Sequence, residues 1–106
     1  MKVIKFRSEL ADMILQGKKT TTFRLFDDKD LRAGDEIHLV RWETGEEFGK
    51  TTIREAYEKT LGELTEDDFV GHERYVSEEE MYTTLRTFYG DSVGPHTVVK
   101  IIRFTV

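Results

Sequence analysis

A small mixed α+β barrel with about three helices is the fold class this sequence predicts. Three observations lead there. Five short runs read as strands, helices interrupt them at only two points, and the last run, 97–106, is β-branched and apolar on both faces, as a central strand is. A first strand, an early helix and a final strand that pairs back across the chain would close the barrel. At 106 residues the chain is expected to be one domain, 1–106, with room for a single modest core.

Each element can be justified in turn. Lys2–Phe6 is a strand with Val3 and Ile4 as its apolar content. Residues 8–16 form a short amphipathic helix with Leu10, Met13 and Ile14 on its apolar face, Ser8 as its cap and Gly17 as its stop. Residues 19–24 are the next strand. The polar segment 25–34 ends in Ala33-Gly34-Asp35, a turn into the alternating strand 36–42, with Ile37, Leu39 and Arg41 on one face and His38, Val40 and Trp42 on the other. Gly45 marks a hairpin turn, and a strand over about 48–58 returns.

Two further helices follow, each with its own start signal. Thr65 precedes Glu66-Asp67-Asp68, with Leu64 and Phe69 at staple positions. Ser77-Glu78-Glu79-Glu80 is a capping box with Val76 and Met81 as a second staple, and Met81, Leu85, Phe88 and Tyr89 recur at helical spacing until Gly90. The three glutamates therefore read as a helix start rather than a metal site.

Composition limits the functions open to the chain. There is no cysteine, which removes disulfides and thiolate metal sites and fits a reducing compartment, so a cytoplasmic location is expected. No apolar run reaches the roughly 18 residues of a membrane span, and the N-terminus lacks a basic-then-apolar signal pattern. The net charge of −5 is unevenly spread: residues 1–24 hold six bases against two acids, while the remaining residues hold ten against nineteen. A basic corner on an acidic body suits a local anionic ligand better than a long nucleic-acid track. Lopsided charge is also common in small soluble proteins. His38, His72 and His96 show no metal spacing, so no metal and no cofactor are expected. Neither a Gly-x-Ser-x-Gly elbow nor a Walker-type phosphate loop occurs.

The densest cluster of chemistry is Gly17-Lys18-Lys19-Thr20-Thr21-Thr22-Phe23-Arg24, where a helix stops and a strand begins. It brings three cations and three hydroxyls to one corner. The plain alternative is a partly exposed strand whose threonines reflect β-propensity alone. Strand alternation puts Thr20, Thr22 and Arg24 on one face and Lys19 with Thr21 on the other, so Lys19 can serve Thr22 only from the turn. Trp42 and Tyr75 can stack on a base or simply cover the barrel mouth. His72 reads as an ordinary loop histidine that can line the same cleft.

The pattern Gly-Lys-Lys-Thr-x-Thr-x-Arg, a polar loop, then Ala-Gly-Asp-x-Ile-x-Leu resembles the ASCH domain, a relative of the PUA-like β-barrels associated with RNA. The likeness spans most of the chain. Its length and its Lys-Thr-x-Thr-x-Arg core look most like the small bacterial N4-acetylcytidine amidohydrolases. The resemblance implies a PUA-like/ASCH barrel whose cleft takes a modified nucleoside or RNA, with no DNA and no membrane as partner. It implies Lys19, Thr22 and Glu73 as the catalytic set, although Glu78, Glu79 and Glu80 compete with Glu73, which fits the family spacing only with a one-residue shift. Lys18, Thr20, Arg24, Trp42 and Tyr75 are the implied substrate contacts. A non-catalytic RNA-binding module using the same cleft is the competing expectation, and ribonuclease action is less favoured because no histidine pair is present.

Overall fold

The computed structural model describes residues 2–105. Strands β1 (Lys2–Phe6), β2 (Thr21–Leu25), β3 (Glu36–Arg41), β4 (Glu47–Thr60) and β5 (Val98–Phe104) are joined by helices α1 (Ser8–Leu15) and α2 (Glu78–Tyr89). The strands form one sheet in the order β1-β3-β4-β5-β2, with β1 parallel to β3 and the other pairs antiparallel.

β4 makes the sheet curl. Its first half pairs with β3 and its second half with β5, and the register shifts between Ile53 and Glu55. A bulge inserts one unpaired residue and increases local twist, so a 14-residue strand can turn a corner and serve two neighbours. β5 pairs on both sides, as its two-faced apolar pattern predicts. The ladder nevertheless ends at β1 on one side and at β2 on the other, so the curled sheet is a half-barrel with an unpaired seam. The expected closing pair is not made among the described residues.

The two faces of β5 serve two apolar clusters. Ile102 and Phe104 join Ile4, Phe6, Ile37, Leu39 and Ile53 inside the curl, capped by Ala11 and Ile14 of α1. Val99 and Ile101 join Phe23, Leu25 and Leu61 on the opposite face, under Met81 and Leu85 of α2. Each such side chain, fully buried, contributes roughly 1.5–3 kcal/mol.

Three local expectations are corrected. The Thr65 segment is only a 3-10 turn, Glu66–Phe69, so the described residues form two α-helices rather than three. Asp68 accepts from the Thr65 N–H at 2.7 Å and closes that turn early. Ser8 is the first helical residue of α1 rather than its cap. The Glu43 carboxylate takes the Ser8 N–H at 3.1 Å, capping the helix from the β3–β4 hairpin. Ser77 does cap α2, accepting from the Glu80 N–H at 3.1 Å, but Val76 is 90% exposed and makes no staple with the buried Met81. Thr97 and Thr105 flank β5, and Val106 lies outside the described residues.

Candidate functional site

The seam between β1 and β2 opens into a cavity of about 430 Å³. Lys5, Phe6 and Arg7 line one wall and Thr22, Phe23 and Arg24 the other, with the exposed Trp42 and Phe88 at the mouth and Lys19, His72, Glu73, Tyr75, Leu85 and Tyr89 in the lining as well. The size lies within the ~300–1,000 Å³ range of small-molecule sites. Of the six cations among residues 1–24, four line this cavity, with Glu73 as its only carboxylate among the described residues. The charge asymmetry read from the sequence is thus concentrated on one concave surface.

Lys19 reaches the cavity from ahead of β2. Gly17, at φ +76°, ends α1, and the backbone N–H groups of Lys18 and Lys19 donate to the Met13 carbonyl. Lys19 is therefore not a strand residue and escapes the alternation that would turn it away from Thr22. Its side chain is 1% exposed. Nζ donates to the Thr21 carbonyl at 2.8 Å and to Glu73 Oε2 at 2.8 Å, with Oε1 at 3.1 Å. Burial pulls its pKa down from the ordinary lysine value, Glu73 opposes that, and Arg24 adds to the lowering.

Thr22 and Arg24 lie on the cavity side of β2. Thr22 is 4% exposed, and its hydroxyl has no hydrogen-bond partner among the described residues. Arg24 spans the seam: Nη2 donates to the Lys5 carbonyl of β1 at 2.9 Å, and the guanidinium lies 4.8 Å from the Phe6 ring. Its Nε is buried with no partner. Burial lowers its pKa, against the pull of Tyr89, Glu73 and Asp27.

The loop carrying His72 and Glu73 is fixed from behind. Gly71, at φ +79°, accepts from the Thr20 and Thr21 N–H groups at 2.8 and 3.0 Å. The Thr21 hydroxyl donates to the Val70 carbonyl at 2.7 Å, and Arg103 donates to that carbonyl and to the Asp67 carbonyl. Asp68 is 2% exposed, and burial alone would raise its pKa. Lys59, the Thr65 N–H and the Tyr57 hydroxyl outweigh burial and bring it down to about 2.

His72 lies flat on Phe23, with ring centroids 3.8 Å apart and planes 17° from parallel. Its Nδ1 is 2.6 Å from the Glu73 carbonyl and its Nε2 is 3.1 Å from Glu73 Oε1. Burial, helped by Lys19, lowers its pKa to about 4, so the ring is neutral at pH 7. Burial also raises the Tyr75 phenol to about 12.

Lys19, Thr22, Arg24, Trp42, Glu73 and Tyr75 therefore share one cavity. Lys18 and Thr20 do not line it. Lys18 is exposed past the end of α1, and the Thr20 side chain packs against Gly71 behind the site. Glu78, Glu79 and Glu80 sit exposed in the first turn of α2. Among the described residues no group of histidine and carboxylate side chains has metal-holding geometry. Sequence reasoning missed Lys5, on β1, and Arg7, one residue past its end, although their spacing of two was an available signal. It also missed Phe88, half-exposed at the mouth.

Solved structures with the same architecture identify the fold. Protein EF3133 from Enterococcus faecalis V583, assigned to DUF984, superposes with a TM-score of 0.79 at 16% identity, covering 99% of this chain and 78% of that one. An ASCH domain from Lactobacillus crispatus superposes at 0.73 and 16% identity, over 99% and 79% of the two chains. This is the ASCH fold. Hypothetical protein PH0355 matches it at 0.74 and 25% identity, over 99% and 98%. No family model and no curated protein matches the sequence. In the ASCH fold of this chain, the seam cavity lies between the two edge strands.

Proposed function

We propose that this protein is an amidohydrolase acting on N4-acetylcytidine or a related acylated nucleoside, as a member of the ASCH family similar to the small bacterial enzymes of that activity. The observation that carries the reading is a buried lysine hydrogen-bonded to Glu73 in a cavity shared with Thr22, whose hydroxyl has no partner among the described residues. A lysine with a lowered pKa can take the Thr22 proton. The Thr22 oxygen then attacks the acyl carbon, the Arg24 guanidinium that lines the cavity offsets the oxyanion charge, and Glu73 gives a proton to the departing exocyclic amine. Water releases the acyl group from Thr22. Trp42 at the mouth and Tyr75 in the lining flank the base.

The test is release of cytidine from N4-acetylcytidine by purified protein in the presence of a chelator, which should leave the rate unchanged. Thr22→Ala and Lys19→Ala should each lower kcat by roughly 10³-fold or more while ligand affinity changes only a few-fold, because nucleophile and base act mainly in the transition state. Hydrolysis that survives both substitutions would remove these roles.

A second reading is favoured by the rim. The Lys5 ammonium lies 5.6 Å from the Trp42 ring and the Arg7 guanidinium 4.8 Å from Phe88, both rings being half-exposed or more. Cations on exposed aromatics suit stacked bases and phosphates, which is the design of an RNA-binding module. In that case wild type shows no turnover, and Arg24→Ala weakens single-stranded RNA binding with a salt slope reduced by about 1.

A further inference from the structure

His72 faces Glu73 in a way that constrains where the proton of the cluster resides. Its Nδ1 is 2.6 Å from the Glu73 main-chain oxygen, and a carbonyl oxygen only accepts, so Nδ1 carries the hydrogen. A neutral ring protonated at Nδ1 leaves a lone pair on Nε2. That lone pair is 3.1 Å from Glu73 Oε1. A carboxylate oxygen at that distance would set lone pair against lone pair, and a proton on Oε1 turns the same contact into a hydrogen bond. The ring cannot swing away, being stacked on Phe23, edge-on to Phe69 and buried to 8% exposure.

We propose that His72 is a positioning residue: by accepting at Nε2 it holds the cluster's proton on Glu73 Oε1 and so leaves Lys19 as the free base. The proposal rests on the amidohydrolase reading, which needs a base and an acid at once. The pairing Lys19 ammonium with Glu73 carboxylate and the pairing Lys19 amine with Glu73 acid differ only in which group holds one proton. In the second, Oε2 accepts from a Lys19 N–H at 2.8 Å, another Lys19 N–H goes to the Thr21 carbonyl, and the nitrogen lone pair remains for Thr22. Burial of Lys19 favours the same arrangement. The charged and titratable groups facing the ring are Lys19 and Arg24 from the β2 side and Glu73 and Tyr75 from its own loop. The two cations favour a neutral ring.

The reaction then balances. Lys19 takes the proton of Thr22 as the oxygen attacks, and the C–N bond breaks as the Oε1 proton passes to the amine. Water next attacks the acyl ester, giving a proton to Glu73, while the Lys19 ammonium returns one to the Thr22 oxygen. The net change is amide plus water to acid plus amine.

Nitrogen-15 NMR of the histidine-labelled, unliganded protein tests the idea, with the His72 signals assigned by their loss in His72→Phe. At pH 7 His72 should be the neutral Nδ1–H form, and its Nε2 resonance should move in Glu73→Ala, where the proton donor is gone. An Nε2–H ring, a doubly protonated ring, or an Nε2 signal indifferent to Glu73→Ala overturns the proposal. In turnover, His72→Phe keeps the stack and should lower kcat by about 10²-fold with KM within a few-fold. His72→Gln, which restores an acceptor, should recover most of that loss, and equal activity of the two variants counts against the proposal. If wild type hydrolyses no acylated nucleoside, the amidohydrolase reading fails while the NMR result still decides where the proton lies.

Discussion

Lys19 shows why a site can be half-legible. Its residue type and neighbours mark it as reactive, but strand periodicity places it on the wrong side of Thr22. The backbone resolves this by keeping Lys19 in the turn that follows Gly17, where the Lys18 and Lys19 N–H groups donate to the Met13 carbonyl. His72 was less legible still, since only the stack on Phe23, 49 positions earlier in the chain, distinguishes it from a surface histidine. The stack has a stability consequence. The folded pKa of about 4 lies below the unfolded value of 6.5, so the unfolded chain binds the extra proton first as pH falls. Stability should be fully present above pH 6.5 and decline by about 3 kcal/mol between 6.5 and 4, as read by urea midpoints. In His72→Phe that part of the decline should vanish.

At the scale of elements, the loop 65–75 is the piece the sequence described least well. Its acids suggested a helix start, but Asp68 spends its carboxylate on Thr65, Tyr57 and Lys59 and ends the turn. Strand limits, by contrast, follow from alternation and turn residues that act locally. Two predictions belong here. Gly71→Ala should destabilise the fold by about 1–3 kcal/mol in chemical denaturation, because φ is +79° and a Cβ would overlap the Thr20 hydroxyl. Asp68→Asn should cost about 2 kcal/mol at neutral pH. Its folded pKa is depressed, so this stabilisation is present above the unfolded value of 3.8 and is lost as pH falls towards 2. The variant should therefore equal wild type at the acid end, and a constant difference across pH would contradict the ion-pair account.

For the whole molecule, the central place of β5 was legible because its apolar residues face both ways, whereas the seam was not, since no sequence pattern says which two edges fail to meet. Hydrogen exchange should find the β5 amides among the slowest, protected by neighbours on both sides and by two apolar clusters. The β1 and β2 edges that border the cavity should exchange faster. Among the described residues, the one side-chain to main-chain tie across that gap is Arg24 to the Lys5 carbonyl. A molecule seated there touches both ends of the ladder at once and so acts as a clasp on an open ring. Occupancy should then be visible far from any chemistry: slower exchange at both edges together, and a melting temperature that climbs with ligand concentration as mass action requires. Used with Thr22→Ala, that response would let a library of acylated nucleosides and short RNAs be ranked as ligands without a single turnover.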